Sequence, residues 1–471
     1  MQTEAVLAKP IRKFNRTISG VAPVTVITRP QDSCRYGCIY CPVETKNAPK
    51  SYTDKSPQVL RALHAGYDPA KQIEIRLKTF EMMGHSTDKV ELLVMGGTFA
   101  GYPQDYQNEF IKGCYDGLNG FPAPSLEEAK KINETAKNRM VAMCIENRPD
   151  LCTEKVVSKL LDFGATRIEL GVQNLDDDIY RITKRGHTVE DVTRGVQNLR
   201  DAGFKVGFHM MLGLPGSTPA RDLDNFKALF ADPRFKPDQL KIYPTFVVEG
   251  TELEKLYKRG EYHPYDKETM IELMIKIKQL IPRYTRVMKI MRDIPADFIV
   301  SSCKNSHLRD EIQLRMRNRN LRCDCIRCRE VGHVIRKGGP FNPSKIELRR
   351  IDYDASDGKE IFLSFEDMQN SVLVGLLRLR IPGKPFRPEI TPSAALIREI
   401  HVYGTEVPLG TSTNDWQHRG YGTLLMREAE RIAKEEFGKD KMVIISGVGV
   451  KRYFIEKFGY NYDGPYVSKQ L

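Results

Sequence analysis

The stretch Ser33-Cys34-Arg35-Tyr36-Gly37-Cys38-Ile39-Tyr40-Cys41-Pro42 decides how the rest of the chain is read. Its three cysteines stand at CxxxCxxC spacing. Three thiolates can hold three irons of a 4Fe-4S cluster and leave the fourth iron open to a small chelating ligand. Gly37 lets the backbone curl round such a cubane, Pro42 closes the loop, and Tyr40 would shield it from water. Zinc is the competing reading, but zinc sites usually show CxxC pairs with a fourth ligand nearby.

The spacing resembles that of the radical S-adenosylmethionine (SAM) superfamily, and the flanking pattern agrees with it. Short apolar runs at 24–28, 90–95, 140–145, 167–172, 205–212 and 239–243 read as buried strands. Helical patterns at 71–83, 154–163, 189–202 and 220–230 alternate with them. Strand alternating with helix predicts parallel βα units. Six such units predict a partial (β/α)6 TIM-like barrel, the superfamily's usual core, closed by a return strand near 286–290. Ligands bind at the C-terminal ends of parallel strands, where the cysteine loop falls. Met95-Gly96-Gly97-Thr98 resembles the superfamily's glycine-rich segment that receives the SAM amino group. Gln173, His209 and Lys241 are polar residues at the same face, where packing has little need of them. Cys114, Cys144 and Cys152 fit no ligand spacing and read as buried small residues.

The chain has 471 residues, enough for two or three domains, and a formal net charge of +12, which points to an anionic partner, nucleic acid above all. Ten cysteines, which include two tight clusters, argue for metal ligation over disulfides and for a reducing cytoplasm. No window approaches the roughly 20 apolar residues of a membrane span, so a soluble protein is expected.

The second cysteine cluster is Cys323-Asp324-Cys325-Ile326-Arg327-Cys328. Tetrahedral zinc on these three thiolates plus a remote ligand is the plain reading, with Cys303 favoured over His333 as the fourth, and a second iron-sulfur cluster as the alternative. Residues 304–337 hold ten Lys or Arg against four acids. Arg315, Arg317 and Arg319 alternate along one predicted helix and suggest a phosphate-binding face. Lys13 and Arg16 lie in a basic N-terminal arm that is either a solvated tail or a second phosphate contact.

Gly338-Gly339-Pro340 marks a boundary, after which antiparallel-looking strands are expected at 346–350, 360–365, 372–379 and 394–402. Gln417-His418-Arg419-Gly420-Tyr421-Gly422-Thr423 then opens a helix. This matches the Q/R-x-x-G-x-G/A pattern of GNAT acetyltransferases, whose backbone N–H groups hold the pyrophosphate of coenzyme A. The resemblance implies acetyl-CoA contacts from Gln417, Gly420, Tyr421, Gly422 and Phe454, with Tyr453 near the thioester sulfur.

A radical SAM barrel (21–300) after a basic arm (1–20), a metal-binding linker (301–344) and a C-terminal α+β GNAT domain (345–471) make a rare combination. It resembles the family of the Elongator catalytic subunit, including its short bacterial and archaeal forms. Leu376-Leu-Arg-Leu-Arg380, Arg398-Glu-Ile-His-Val-Tyr403 and His209-Met-Met-Leu-Gly-Leu-Pro215-Gly216 carry that resemblance further. It implies carboxymethylation of wobble uridine in the tRNA anticodon stem-loop by a chain acting alone. In that scheme a cluster on Cys34, Cys38 and Cys41 and SAM give a 5′-deoxyadenosyl radical, which activates acetyl-CoA for addition to carbon 5 of the base. Two alternatives stay open: a protein lysine acetyltransferase with a scaffold barrel and Glu399 as base, and a non-catalytic iron-sulfur RNA-binding protein.

Overall fold

The computed structural model describes residues 17–31, 34–302, 307–404 and 420–471. Strands β1 (Ala22–Ile27), β2 (Lys89–Met95), β3 (Arg139–Asn147), β4 (Arg167–Gln173), β5 (Lys205–Leu212) and β6 (Gln239–Pro244) pair in chain order, all parallel. A short ribbon of β7 (Val247–Val248) and β9 (Ile299–Ser301) flanks them. β8 (Arg286–Lys289) adds a further parallel strand beside β6. The sheet therefore has seven strands, the six of the βα units and the return strand expected near 286–290. The closing segment contains a true strand because Leu240 and Val287, both fully buried, lie side by side across the β6–β8 pair. β1 and β8 do not pair, so the barrel is open.

The second sheet runs β10 (Ile346–Ala355), β11 (Gly358–Asp367), β12 (Val372–Ile381), β13 (Ala394–Val402), β14 (Lys441–Ile444), β16 (Tyr466–Gln470), β15 (Asn461–Asp463). The first four form an antiparallel meander. β13 and β14 are parallel, joined through the helix Tyr421–Arg431, and they pair only from Ala394 to Ile397. Beyond Ile397 the strands part, which opens a cleft at the sheet's centre.

The two-residue period of β12 explains how the domains meet. Leu377 and Leu379 pack into the core of the C-terminal domain. Leu376, Arg378 and Arg380 take the opposite face, toward the barrel. Between Arg378 and Leu379 of β12 the register with β13 slips, leaving Arg398 of β13 as the extra residue of a β-bulge. A bulge re-aims its side chain. Arg398 thus enters the barrel's edge and grips Asp238 with a two-bond fork, both at 2.8 Å. Arg398 also bonds Glu360 at 2.7 Å. Arg380 bonds Asp201 at 2.6 Å and Glu360 at 2.9 Å, and Arg378 bonds Glu399 at 2.8 Å. All of these side chains are buried.

The linker and the N-terminal residues fill the same seam. Arg329 pairs with Glu366 at 2.7 Å, and Arg286 with Glu330 at 2.6 Å. Ser19 Oγ donates to Glu330 at 2.8 Å, and the His401 ring nitrogen meets the Ser19 carbonyl at 2.8 Å. The described end of the expected arm, Thr17 to Gly20, is therefore pinned in place.

Removing one partner of a buried pair strands the other charge without water. Arg398→Ala is expected to cost ~3–5 kcal/mol of stability. The double change Arg398→Met with Asp238→Asn should cost clearly less. Urea unfolding of both proteins checks this, and equal losses would show that the charge pairing is not what holds the seam.

Candidate active site

The cysteine loop lies beyond the C-terminal end of β1, above the barrel mouth. Cys34, Cys38 and Cys41 line one cavity together with Gly96, Gly97, Gln173, His209 and Lys241. The cavity encloses ≈ 1110 Å³ of space, open solvent included. Every described residue that the barrel pattern marked as functional converges on it.

The glycines earn their places differently from expectation. Gly37 has open space around it and no left-handed φ, so the loop does not demand glycine there. Gly186 does. Its φ is +74°, and a Cβ would lie 2.3 Å from the Tyr36 ring. On Tyr36's other side the Arg148 guanidinium lies 3.8 Å from the ring centroid, and the Tyr36 hydroxyl donates to Asp150 at 3.1 Å. This clamp fixes the first half of the cysteine loop. Gly96 (φ +142°) and Gly97 (φ +81°) press against Thr28 and the Lys50 carbonyl, bringing backbone to the cavity wall. Gln173, at φ +73°, stands beyond a register break between β4 and β5 and is turned into the cavity. Tyr40 is buried against the loop with its hydroxyl unpartnered, as a shield requires.

The floor is an acid–base network. Glu146, Glu169 and His209 converge within 4.8 Å of one another. The Lys241 ammonium already fills the cation position, pairing with Glu169 and lying 3.9 Å from Glu146. His209 sits 3.0 Å from Glu169, and Tyr52 donates to Glu146 at 2.7 Å. Burial opposes the charge on Glu169, but Lys241, His209 and Arg167 outweigh it and hold the carboxyl well below its usual range. Burial and the Lys241 charge push His209 down, which favours neutral imidazole. The sequence reading named His209 and Lys241 but assigned no role to Glu146, Glu169, Tyr52, Arg148 or Arg185. The string ENRPD at the end of β3 and the string KRGH after the helix Asp177–Ile182 were the available signal.

At the second cluster, the thiols of Cys323, Cys325 and Cys328 lie within 4.8 Å of one another. A tetrahedral ion with bonds of ~2.3 Å puts its sulfurs about 3.8 Å apart, so the donor set suits one zinc ion. Cys303 lies outside the described residues. His333 is buried 3.9 Å from Glu330 and is not among the converging donors.

In the C-terminal domain, Ile400, Val402, Gly420, Gly422, Thr423, Tyr453 and Lys457 line the cleft that the parting strands open. Gly420, at φ +80°, begins the helix Tyr421–Arg431, whose first N–H groups have no side-chain cap. Gln417 lies outside the described residues. One expectation is corrected here: Phe454 is in the core, packed against Tyr460, and does not line the cleft. Tyr421 lays its ring against Phe365, with its backbone at the first helical position after Gly420. The amphipathic period of the helix Lys451–Phe458 places Phe454 inward and Tyr453 outward.

The arginine run is also corrected. Arg315 bonds Glu268 at 2.5 Å and Glu311 at 2.8 Å, and Arg319 bonds Glu272 at 2.7 Å. Glu268 and Glu272 lie on the barrel helix Lys267–Leu280. Two of the three arginines thus clasp linker to barrel, while Arg317 is exposed with no acidic partner among the described residues. Lys13 and Arg16 lie outside the described residues. Glu399 is no free base. Burial raises its pKa, but Lys205 and Arg378 pull it down to about 2.

Gly186→Ala is expected to displace Tyr36, with a left-handed strain of order 1–3 kcal/mol added. Iron loading of the reconstituted protein should fall by more than half while far-ultraviolet dichroism is kept. Unchanged loading would show that the clamp does not position the cysteines.

The Radical SAM superfamily model matches residues 28–227, and the Radical SAM C-terminal domain model matches residues 237–318. The chain is 51% identical to the tRNA uridine(34) acetyltransferase of Dehalococcoides mccartyi, over 98% of this chain and 100% of that protein. It is 49% identical to the protein of that name from Methanocaldococcus infernus, over 98% and 87%. It is 42% identical to Elongator complex protein 3 of Saccharomyces cerevisiae, over 98% and 85%. The solved structure of the Methanocaldococcus infernus Elp3 lacking residues 1–46 superposes with a TM-score of 0.87 at 47% identity, covering 97% of this chain and all of that one. With likeness at this level along its whole length, the chain belongs to the radical SAM family that comprises the tRNA uridine(34) acetyltransferases and Elongator complex protein 3.

Proposed function

We propose that this chain is a tRNA wobble-uridine acetyltransferase that joins an acetyl-derived group to carbon 5 of the base. One observation carries the reading: the cysteine loop, the glycine segment and a buried acid–base floor share one cavity, in a barrel locked to a domain with its own cleft. Cys34, Cys38 and Cys41 would hold three irons, and Gly96, Gly97 and Gln173 would seat SAM. When bound, a 4Fe-4S cluster with SAM supplies the one-electron chemistry that makes a 5′-deoxyadenosyl radical, which activates acetyl-CoA for addition to the base.

The chain's own residues supply position and protonation. Tyr40 and the clamped loop keep water from the cavity. His209, neutral and anchored by Glu169, can accept a proton at a free ring nitrogen. Lys241 stays charged between two carboxylates and presents a fixed cation to a carbonyl oxygen. In the second cleft the uncapped helix start at Gly420 and Gly422 suits a pyrophosphate, and Tyr453 faces the acyl end. Zinc on Cys323, Cys325 and Cys328 would staple the linker, with Cys303 as the fourth ligand. The base would be flipped from the anticodon loop into the barrel mouth. The protein is proposed to act alone in the cytoplasm, and no described helix is long and apolar enough to cross a membrane.

The test is mass spectrometry of tRNA nucleosides after anaerobic incubation with both cofactors. Wild-type protein should yield uridine modified at carbon 5. Cys38→Ala should yield none yet keep acetyl-CoA affinity. Gly420→Glu should lose acetyl-CoA affinity by bulk and like charge yet keep SAM binding. Modified uridine from Cys38→Ala would sink the reading.

Phosphate contacts release counterions, each contributing roughly 0.7–0.9 to the log–log salt slope. Arg317→Ala should therefore make the slope of tRNA binding shallower by about that amount. Arg319→Ala, which breaks a clasp instead, should leave the slope unchanged and lower the melting temperature slightly. The reverse pattern would place the phosphate face elsewhere.

A further inference from the structure

The cations around the cysteine loop differ in how they are balanced. Arg148 bonds Asp150 at 2.9 Å, so its charge is met by a carboxylate. Lys241 sits between Glu169 and Glu146. Arg185 is different. It is only 8% exposed, and it forms no ion pair with a carboxylate among the described residues. Its partners are the Gly171 carbonyl and the Cys38 sulfur, the latter 3.5 Å from Nη1. Its Nε–H, also buried, has no acceptor among the described residues.

A buried guanidinium without a counter-charge costs several kcal/mol. Such a group persists where an anion completes its surroundings. Among the described residues, the anion-forming group it hydrogen-bonds is the Cys38 thiol, and its spare donor belongs to a residue that lines the same cavity. Geometry holds it there firmly. Arg185 follows the helix Asp177–Ile182, its carbonyl accepts from Arg148 at 2.9 Å, and Gly171 is glycine because a Cβ would lie 2.7 Å from Arg185 Nη2.

We propose that Arg185 is the counter-charge of the iron-sulfur cluster and sets its reduction potential. The inference rests on the cysteine reading given above. A fixed positive charge and N–H donation to a cluster sulfur both favour the reduced, more negative state, and so raise the potential. Arg185 is thus a positioning and tuning residue: it touches a ligand sulfur and takes no part in bond making. Arg148, balanced by Asp150, serves as the internal control.

The experiment is a redox titration followed by electron paramagnetic resonance on the reconstituted full chain, without tRNA or acetyl-CoA. Iron and sulfide per chain are measured on each sample. Arg185→Gln should lower the midpoint potential, so that at a fixed dithionite poise the reduced signal falls at least tenfold. Arg185→Lys should recover most of the signal. Asp150→Asn, which frees the Arg148 charge, should shift the potential upward. If Arg185→Gln binds no cluster while Arg185→Lys does, the charge requirement is supported in another form. Full cluster content with an unchanged potential in Arg185→Gln would overturn the inference and leave the cysteine reading intact. Equal loss of cluster from both Arg185 variants would assign the residue a packing role and also overturn it. A wild-type chain that takes up no iron would instead bring down the cysteine reading itself, and this inference with it.

Discussion

The bulged residue Arg398, forked onto Asp238 between the two domains, is the contact on which the rest of the arrangement depends. Three buried arginines, at 378, 380 and 398, meet four buried carboxylates, at 201, 238, 360 and 399. Asp201 and Asp238 belong to the barrel side, and the other five to the C-terminal sheet. Neither domain could bury its share alone without stranding charge. The docked form is the one in which each desolvated ion has a partner. Such a seam selects one geometry, because a small slip would separate several forked pairs at once.

This seam also decides between readings of the C-terminal domain. A lysine acetyltransferase wants a carboxylate free to take a proton near neutral pH. Glu399 was the available carboxylate on sequence grounds. In the fold it bonds Arg378 and lies 3.3 Å from Lys205, so its acidity is tied to the docking of the barrel. The motif residues of the LLRLR and REIHVY strings serve the interface, with alternate positions facing the core.

Local periodicity carried most of the fold. The six barrel strands and the C-terminal meander lie where the apolar runs placed them, because a two-residue or 3.6-residue period is written in neighbouring positions. The cysteine loop, Gly96, Gly97, Gln173, His209 and Lys241 were legible for a related reason: strand ends in a parallel barrel share one face. Partner choice over long separations was not legible. That Arg315 and Arg319 pair with Glu268 and Glu272 depends on two helices crossing, which no local pattern records. The same holds for Gly186, whose need for glycine comes from a Tyr36 ring 150 positions earlier. Phe454 was misplaced for a narrower reason. Adjacent aromatics at 453 and 454 look alike in a motif, and only the helix phase separates the one in the cleft from the one in the core.

The two clefts share a wall. Lys289 on β8 lines the barrel cavity, and Ile400 and Val402 on β13 line the second cleft. Between them Arg286 on β8 reaches Tyr403 Oη at 3.3 Å, with Ser19, Glu330 and His401 bonded around that contact. This wall is polar, buried and tied to both sheets. A swinging motion of one domain over the other would have to break it together with the arginine seam. On the proposed reading, the acetyl group and the base would have to meet with the seam intact.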